Sequence, residues 1–311
     1  MAHLVEIGPG IYQVDMQSEL GDTVSGVFLV EGERAALVET GPAILAPDVL
    51  EAVDGWRGGR RGVGYIIPTH LHLDHGGGTG ALARELPQAT VVVHYRSAHH
   101  VVDPSRLIAG TIQVWGEQYD QVYGPILPVP QERVLPAADG ERVDLGGREL
   151  QVVFAPGHAP HHIALWEPQA RAMFCGEALG TYLRDLGVVV PTVALPFFDL
   201  EQALDSVDRI LALGPRLLVF SQGGACPAVA DAAAQAREVI LDTASQVQEA
   251  MKQGLREPEV SARLKRYHQE RLVRLCGRSG DGFHLEGELW PDYYDQMAAG
   301  MMAYFRRQES G

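Results

Sequence analysis

One stretch constrains this 311-residue chain more than any other. It reads Thr69-His70-Leu71-His72-Leu73-Asp74-His75-Gly76-Gly77, directly after the apolar run Tyr65-Ile66-Ile67. Such a run reads as a strand, which Pro68 helps to end. Four potential metal ligands, His70, His72, Asp74 and His75, then fall within six positions of a strand-to-helix loop. In extended backbone, residues two apart project to the same side, so His70 and His72 point together. Asp74 and His75 enter the turn, where they can face a second centre. Neutral imidazole suits zinc, iron or manganese-like ions, and a carboxylate adds a hard oxygen donor. The glycines that follow let the loop pack closely at the start of a helix. A lone loop histidine is ordinarily a surface or satisfied core residue, but this spacing of ligand types is a strong motif.

The remaining histidines are distributed unevenly. Of 12 in the chain, three more crowd together at His158, His161 and His162, and the others are His3, His94, His99, His100, His268 and His284. Two tight clusters far apart in sequence call for a fold that joins them.

Up to about residue 220, short β-branched or alternating runs dominate. Strands are expected at Ile11–Val14, Val24–Glu31, Arg34–Glu39, Gly64–Ile67, Thr90–His94, Glu149–Phe154, Ile163–Trp166, Ala172–Cys175 and Leu217–Phe220. Helices are expected at Leu45–Val53, Gly77–Glu85 and Leu200–Leu213, the last with Asp199 as its N-cap. Asp103–Pro130 reads as a long loop-like stretch. After Gly223-Gly224 the character changes, and Pro227–Lys252, Glu257–Leu275 and Asp292–Phe305 read as helices. The two strand-rich portions, roughly 1–110 and 130–225, are candidates to stack face to face.

Charge narrows the partners. With 25 Lys+Arg against 40 Asp+Glu, the formal net charge is −15. Nucleic-acid affinity rests largely on cationic side chains neutralising phosphates, so neither nucleic acid nor an anionic membrane surface is expected. The three cysteines, Cys175, Cys226 and Cys276, make no disulfide framework, and Cys175 reads as a packing residue. The opening residues lack a basic stretch followed by an apolar run, so no signal peptide is expected. The longest stretch without Asp, Glu, Lys or Arg, Leu150–Trp166, holds three histidines and two prolines and is too polar and broken to cross a bilayer. The expected compartment is the cytoplasm.

The run from Thr69 to Gly77 resembles the metal-binding motif of the metallo-β-lactamase superfamily. Ala155-Pro156-Gly157-His158 resembles that family's next motif, a Pro-Gly-His after a strand. Met173-Phe174-Cys175-Gly176-Glu177 sits where the family has a strand ending in Gly-Asp, and Leu217–Gly224 where it has a strand ending in a histidine-containing loop. The resemblance implies a four-layer αββα sandwich of α/β class. It places the catalytic domain at 1–225 and a C-terminal helical extension at 226–311. His99–Leu107 and the helical tail suggest the glyoxalase II-like or lactonase-like branch.

The resemblance also implies the site. His70, His72 and His158 would hold one metal, Asp74 and His75 the second, and Glu177 would bridge them. The family's nucleophile is a water or hydroxide held between the metals, which lower its pKa, and Asp74 would orient it. Two zinc ions are implied, with iron or manganese as alternatives. Two positions depart from the pattern. The bridging residue is Glu177 rather than Asp, and Gln222 stands where a terminal histidine is usual. An amide oxygen is a poorer zinc ligand than imidazole. Three readings follow: normal bridging by Glu177 with Gln222 weak or absent as a ligand, one tight and one labile metal, or a preference for iron or manganese. The function implied is a metal-dependent hydrolase acting on a small ester, thioester or lactone. The alternatives are a di-iron or manganese oxidoreductase, or a non-catalytic binding protein with a decayed second site.

Weaker signals surround this constellation. His162, four residues after His158, reads as a partner that orients a ligand, and His161 as exposed. His94, His99 and His100 read as structural or surface residues. Trp115, Tyr119 and Phe197 are candidates for the substrate pocket wall, with Tyr123 in the same stretch as the first two. Met297, Met301 and Met302 read either as packing or as a surface that pairs two copies in a homodimer.

Overall fold

Two runs of short apolar strands, on either side of a turn at Gly140, form two facing sheets. The computed structural model describes residues 2–15, 25–276 and 292–310. The first sheet follows chain order: β1 (His3–Gly8), β2 (Ile11–Asp15), β3 (Phe28–Val30), β4 (Ala35–Val38), β5 (Val63–Ile67), β6 (Thr90–His94) and β7 (Val134–Ala137). Pairing is antiparallel from β1 to β4 and parallel from β4 to β7. Parallel neighbours need crossovers. α1 (Ala46–Asp54) and α2 (Gly59–Gly62) make the first, and α3 (Leu73–Gly76) and α4 (Thr79–Glu85) the second. α5 (Ala98–Val102), α6 (Ser105–Trp115) and α7 (Tyr119–Tyr123) make the third.

β8 (Arg142–Asp144), β9 (Glu149–Phe154), β10 (Ile163–Glu167) and β11 (Ala172–Gly176) form an antiparallel meander. The hairpin β12 (Thr181–Leu183) and β13 (Val188–Val190) stands apart, then α8 (Leu200–Ala212) leads into β14 (Leu217–Phe220), which pairs parallel with β11; β15 (Gly224–Cys226) closes the sheet. Asp199 caps α8 by accepting from Gln202 N, so the expected N-cap is found. α9 (Val229–Lys252), α10 (Glu257–Cys276) and α11 (Tyr293–Ser310) form the helical tail.

Burial on both faces explains why the central strands were legible as unbroken apolar runs. Ile11, Phe28, Val38 and Ile67 meet Val152, Ile163, Phe174 and Val219 between the sheets. Val49, Val53 and Leu82 of α1 and α4 cover the outer face of the first sheet at Leu37, Ile66 and Val91. Val207, Ile210, Ala232 and Ala236 of α8 and α9 cover the second sheet at Val153, Met173 and Leu218. The result is helix, sheet, sheet, helix, the αββα sandwich. A further core joins α9, α10 and α11 to β13 and Phe198, and within it Met297, Met301 and Met302 are buried, so intramolecular packing accounts for them. Cys175 is buried in the second sheet, as expected.

Two expectations need correction. Asp103–Pro130 is not a long loop, because it holds α6 and α7. Leu107, Ile108 and Thr111 lie on one turn of α6, and glycines in the left-handed region, Gly116 at φ +82° and Gly124 at +76°, end the two helices. Those frequent breakers disguise the helical periodicity. The strand expected at Val24–Glu31 is shorter, Phe28–Val30, and Val24 lies outside the described residues. No helix among the described residues is long and apolar enough to cross a membrane.

Candidate metal centre

The chemistry-bearing residues gather where strands end. Glu39 follows β4, His70 to His75 follow β5, His158 follows β9, Glu177 follows β11, and Ser221 and Gln222 follow β14. The C-terminal ends of strands in an α/β sheet are the usual place for a site, because loops there converge on a crevice. The fold thus joins the two histidine clusters.

On one side three imidazoles meet. His70 Nε2 and His158 Nε2 lie 2.9 and 3.0 Å from His72 Nδ1. Their protonation follows from the outer ring nitrogens. His70 Nδ1 is 3.0 Å from Thr69 Oγ1, whose own proton goes to Glu39 Oε1 at 2.6 Å, so the histidine donates. His158 Nδ1 faces the carbonyl of Thr192 at 3.4 Å, which can only accept. With both rings neutral, both Nε2 atoms would present lone pairs toward His72 Nδ1, and one proton there could not serve both. A cation resolves the conflict: two imidazoles bound at about 2.0–2.1 Å in a tetrahedron hold their nitrogens about 3.3 Å apart. Burial, reinforced by neighbouring histidines, holds His70 well below the ordinary imidazole range and His72 at about 4. These rings are neutral, as metal ligands must be.

On the other side one imidazole sits among carboxylates. His75 Nδ1 is 2.6 Å from Ser25 Oγ and 3.1 Å from Glu39 Oε1. Among the described residues its buried Nε2 has no hydrogen-bond partner, yet Asp74 Oδ2 and Glu177 Oε2 each lie 3.2 Å away. Against the opposing effect of burial, Asp74, Glu177 and Glu39 drive His75 well above its usual range. The carboxylates thus favour positive charge, a proton or a cation, at this nitrogen. Glu177 Oε2 is also 2.9 Å from His158 Nε2 and 3.4 Å from His70 Nε2, so one oxygen faces both sides. Despite burial, His158 and His75 hold the Glu177 carboxyl well below the carboxylate range. The ligand atoms of His70, His72, His158 and Glu177 all lie within 4.8 Å of one another, as do those of Glu39, His70 and His75. The donor set fits divalent metal.

Gln222 reaches the centre by its other end. Its amide nitrogen donates to Asp74 Oδ2 at 3.1 Å, while its oxygen accepts from Thr181 Oγ1 at 2.6 Å. The expected contribution of an amide oxygen to metal is therefore not the arrangement found, because Thr181 already engages that oxygen. His162 does orient a site residue, but that residue is Glu177, whose backbone N donates to His162 Nε2 at 3.0 Å. Gly176 makes this contact possible: its φ is +55°, and a Cβ would stand 2.2 Å from His162 Nε2. His161 is half-buried rather than exposed, since its Nε2 accepts from Leu71 N at 3.2 Å and pins the metal loop.

Glu39 is the participant that sequence reasoning missed. Fully buried, at φ +63°, it accepts from Thr69 N at 2.9 Å and from Ser221 Oγ at 2.5 Å, besides Thr69 Oγ1 and its approach to His75. One carboxylate so ties the loops after β4, β5 and β14 together. Its only signal in the sequence was a charge closing an otherwise apolar strand.

The pocket-wall candidates divide. The side chain of Trp115 lies outside the described residues, and Tyr119 makes no hydrogen bond or ring contact with the centre among the described residues. Tyr123 is nearer: burial and then the Asp74 carboxylate raise its phenol. Phe197 is 66% exposed, on a loop docked beside His158 by a 2.9 Å bond from Asp199 N to Gly157 O. His94 is buried against Phe154, with ring centroids 4.1 Å apart, while His99 and His100 lie in α5, His99 exposed and His100 half-buried.

A family model described as the metallo-beta-lactamase superfamily matches residues 20–222, and the chain belongs to that family. A metallo-beta-lactamase fold-containing protein of Sulfurisphaera tokodaii, ST1585, is 32% identical over 167 residues, 51% of this chain and 60% of that one. A hydroxyacylglutathione hydrolase of Methylococcus capsulatus is 29% identical over 195 residues, 62% of this chain and 59% of that one. The match spans less than two thirds of the length of these relatives. The crystal structure of the metallo-beta-lactamase family protein TTHA1429 from Thermus thermophilus superposes with a TM-score of 0.69 at 20% identity, covering 98% of this chain and 95% of that one. That of ST1585 superposes at 0.62 and 20% identity, covering 98% of both.

Proposed function

We propose that the protein is a metal-dependent hydrolase of a small ester, thioester or lactone. The observation that carries this reading is the pair of imidazole lone pairs converging on His72, with one oxygen of Glu177 shared between that cluster and His75. His70, His72 and His158 would hold one ion, Asp74 and His75 a second, and Glu177 would reach both. Imidazoles favour zinc on the first side, and the carboxylates on the second also suit iron or manganese. Bound there, the ions would polarise a carbonyl and make water nucleophilic near neutral pH.

The chain's own residues supply the rest. Asp74 is 30% exposed, against 7% for Glu177 and none for His75, so it stands at the mouth, where a substrate and water arrive. Although burial opposes ionisation, His75 keeps Asp74 below its usual range, so it is an anion that would help hold an ion and orient water beside it. Gln222 fixes its direction by donating to Oδ2. Similarity to hydroxyacylglutathione hydrolases supports acyl hydrolysis, and the net charge of −15 supports a small-molecule substrate over a polyanion.

The test is metal analysis of the purified protein, then a panel of an ester, a thioester, a lactone and a phosphodiester with each metal restored. The reading expects turnover of a carbonyl substrate that chelation abolishes and zinc restores. Metal-loaded protein that turns over none of them would contradict it, and oxygen consumption by the iron-loaded form would support the redox alternative.

A further inference from the structure

The helical tail reaches the metal centre through one piece of backbone, residues 188–192. Three side chains of the tail hold it from behind, one of them Gln235 of α9, whose Oε1 accepts from Val189 N at 3.1 Å. Arg271 of α10, 1% exposed, donates from Nη1 to Val189 O at 3.1 Å. Tyr293, the first residue of α11, donates its hydroxyl to Pro191 O at 2.6 Å. From the front, the same segment touches two residues of the centre. Thr192 O accepts from His158 Nδ1 at 3.4 Å, and Thr192 Oγ1 donates to Glu177 O at 3.1 Å.

Local chemistry makes this segment dependent on those grips. The β12–β13 ladder ends at Val190, and Pro191 has no N–H with which to extend it. Residues 191 and 192 are therefore placed by side chains. Adjacent residues in extended chain are about 3.3 Å apart, so these grips act within roughly 10 Å of Thr192. The Tyr293 grip is itself held by ring packing. Tyr293 meets Tyr294 edge-on at 5.0 Å, and Tyr294, almost fully buried, stacks on His268 at 5.9 Å. The guanidinium of Arg271 makes its bond to Val189 O, while among the described residues Nε and Nη2 have no hydrogen-bond partner and no carboxylate pairs with them. Burial, then Tyr294, then the charge of Glu177 raise the Tyr293 phenol.

We infer that Tyr293 and Arg271 are positioning residues of the metal centre, setting His158 and Glu177 through the carbonyls of Pro191 and Val189. The inference rests on the metal-centre reading above. A carbonyl that accepts from the outer nitrogen of a ligating histidine fixes the ring's tautomer and aim, and disturbing such partners costs 10–100-fold in metal affinity. Here the carbonyl belongs to Thr192, and the tail fixes where Thr192 stands. The helical tail is thereby part of the centre rather than an appendage to it.

The test uses the full chain, zinc affinity by competition with a chromogenic chelator, and the visible absorption of cobalt-loaded protein. Tyr293→Phe removes one hydroxyl and keeps the ring. It should weaken retention of the tighter ion about tenfold, the low end of that range, and shift the cobalt bands. The metal-free melting temperature should move by no more than about 4 °C, as for the loss of one hydrogen bond. Arg271→Met should act in the same direction, and Arg271→Lys, which keeps a donor for Val189 O, should restore much of the affinity. Wild-type zinc affinity and cobalt bands in both Tyr293→Phe and Arg271→Met would overturn the inference, whatever happens to the melting temperature. A wild type that takes up neither zinc nor cobalt would overturn the metal-centre reading, and this inference with it.

Discussion

On one side of Glu177 three imidazoles face one another, and on the other a single imidazole faces the carboxylates of Asp74, Glu39 and Glu177 itself. Both sides grow from the same loop, yet burial has opposite consequences for them. Where histidines neighbour histidines, burial and mutual repulsion strip protons away and leave lone pairs ready for a metal. Where a histidine neighbours acids, attraction overrides burial and the imidazole keeps its proton. A cation entering the first side displaces little; one entering the second must first expel a proton. The two sides should therefore differ in metal affinity, the three-histidine side holding the tighter ion.

The sharpest break of that contrast is His158→Ala. It removes a nitrogen from the three-histidine side and should cost more than about 100-fold in affinity for the tighter ion, beyond the range for losing an outer partner. Metal content after dialysis checks this. Next comes acidity. His75 is raised above its ordinary range, so below that raised value each pH unit lost should weaken the second ion by up to about tenfold through proton competition. His72 takes up a proton only near 4 and His70 is also held well below its usual range, so these two rings should add little proton competition for the first ion over the same window. Metal analysis from pH 8 to pH 6 reads both.

Glu39→Gln tests the shared foundation. It replaces a buried anion that accepts from Thr69 and Ser221 and approaches His75, and should cost 10–100-fold in retention of the second ion, measured by chelator competition. Gln222→His should act oppositely, tightening the second ion by about tenfold, because it offers imidazole where the amide only donates to Asp74. Smallest is Phe197→Ala. With the side chain 66% exposed, stability should change by less than about 0.5 kcal/mol and metal content not at all, while KM for an apolar acyl substrate rises severalfold if the ring lines the pocket.

Much of the architecture was legible because the central strands are buried on both faces and so read as unbroken apolar runs; β6 and β14 have the bounds expected, Thr90–His94 and Leu217–Phe220. Short edge elements such as β1 and β8 were missed, since exposed strands carry no such run. In the centre, spacing announced the Thr69–Gly77 loop, but Glu39 was invisible, because its partners Thr69 and Ser221 lie 30 and 182 positions away and only the fold brings them together. For Gln222 the sequence leaves open which end of the amide faces the centre, and the bond from Thr181 to its oxygen goes with a nitrogen turned toward Asp74. Tyr293 and Arg271 read as ordinary helix residues, because their role depends on reaching backbone carbonyls about 100 and 82 positions away.

The most direct measurement is stepwise removal of metal from the purified protein by chelators of increasing strength, with metal content determined at each step. The account predicts two ions that leave separately, the first readily and more so at pH 6 than at pH 8, the second only to a strong chelator and readily in His158→Ala. Two ions that leave together with the same pH dependence, or a protein that retains none, would contradict it.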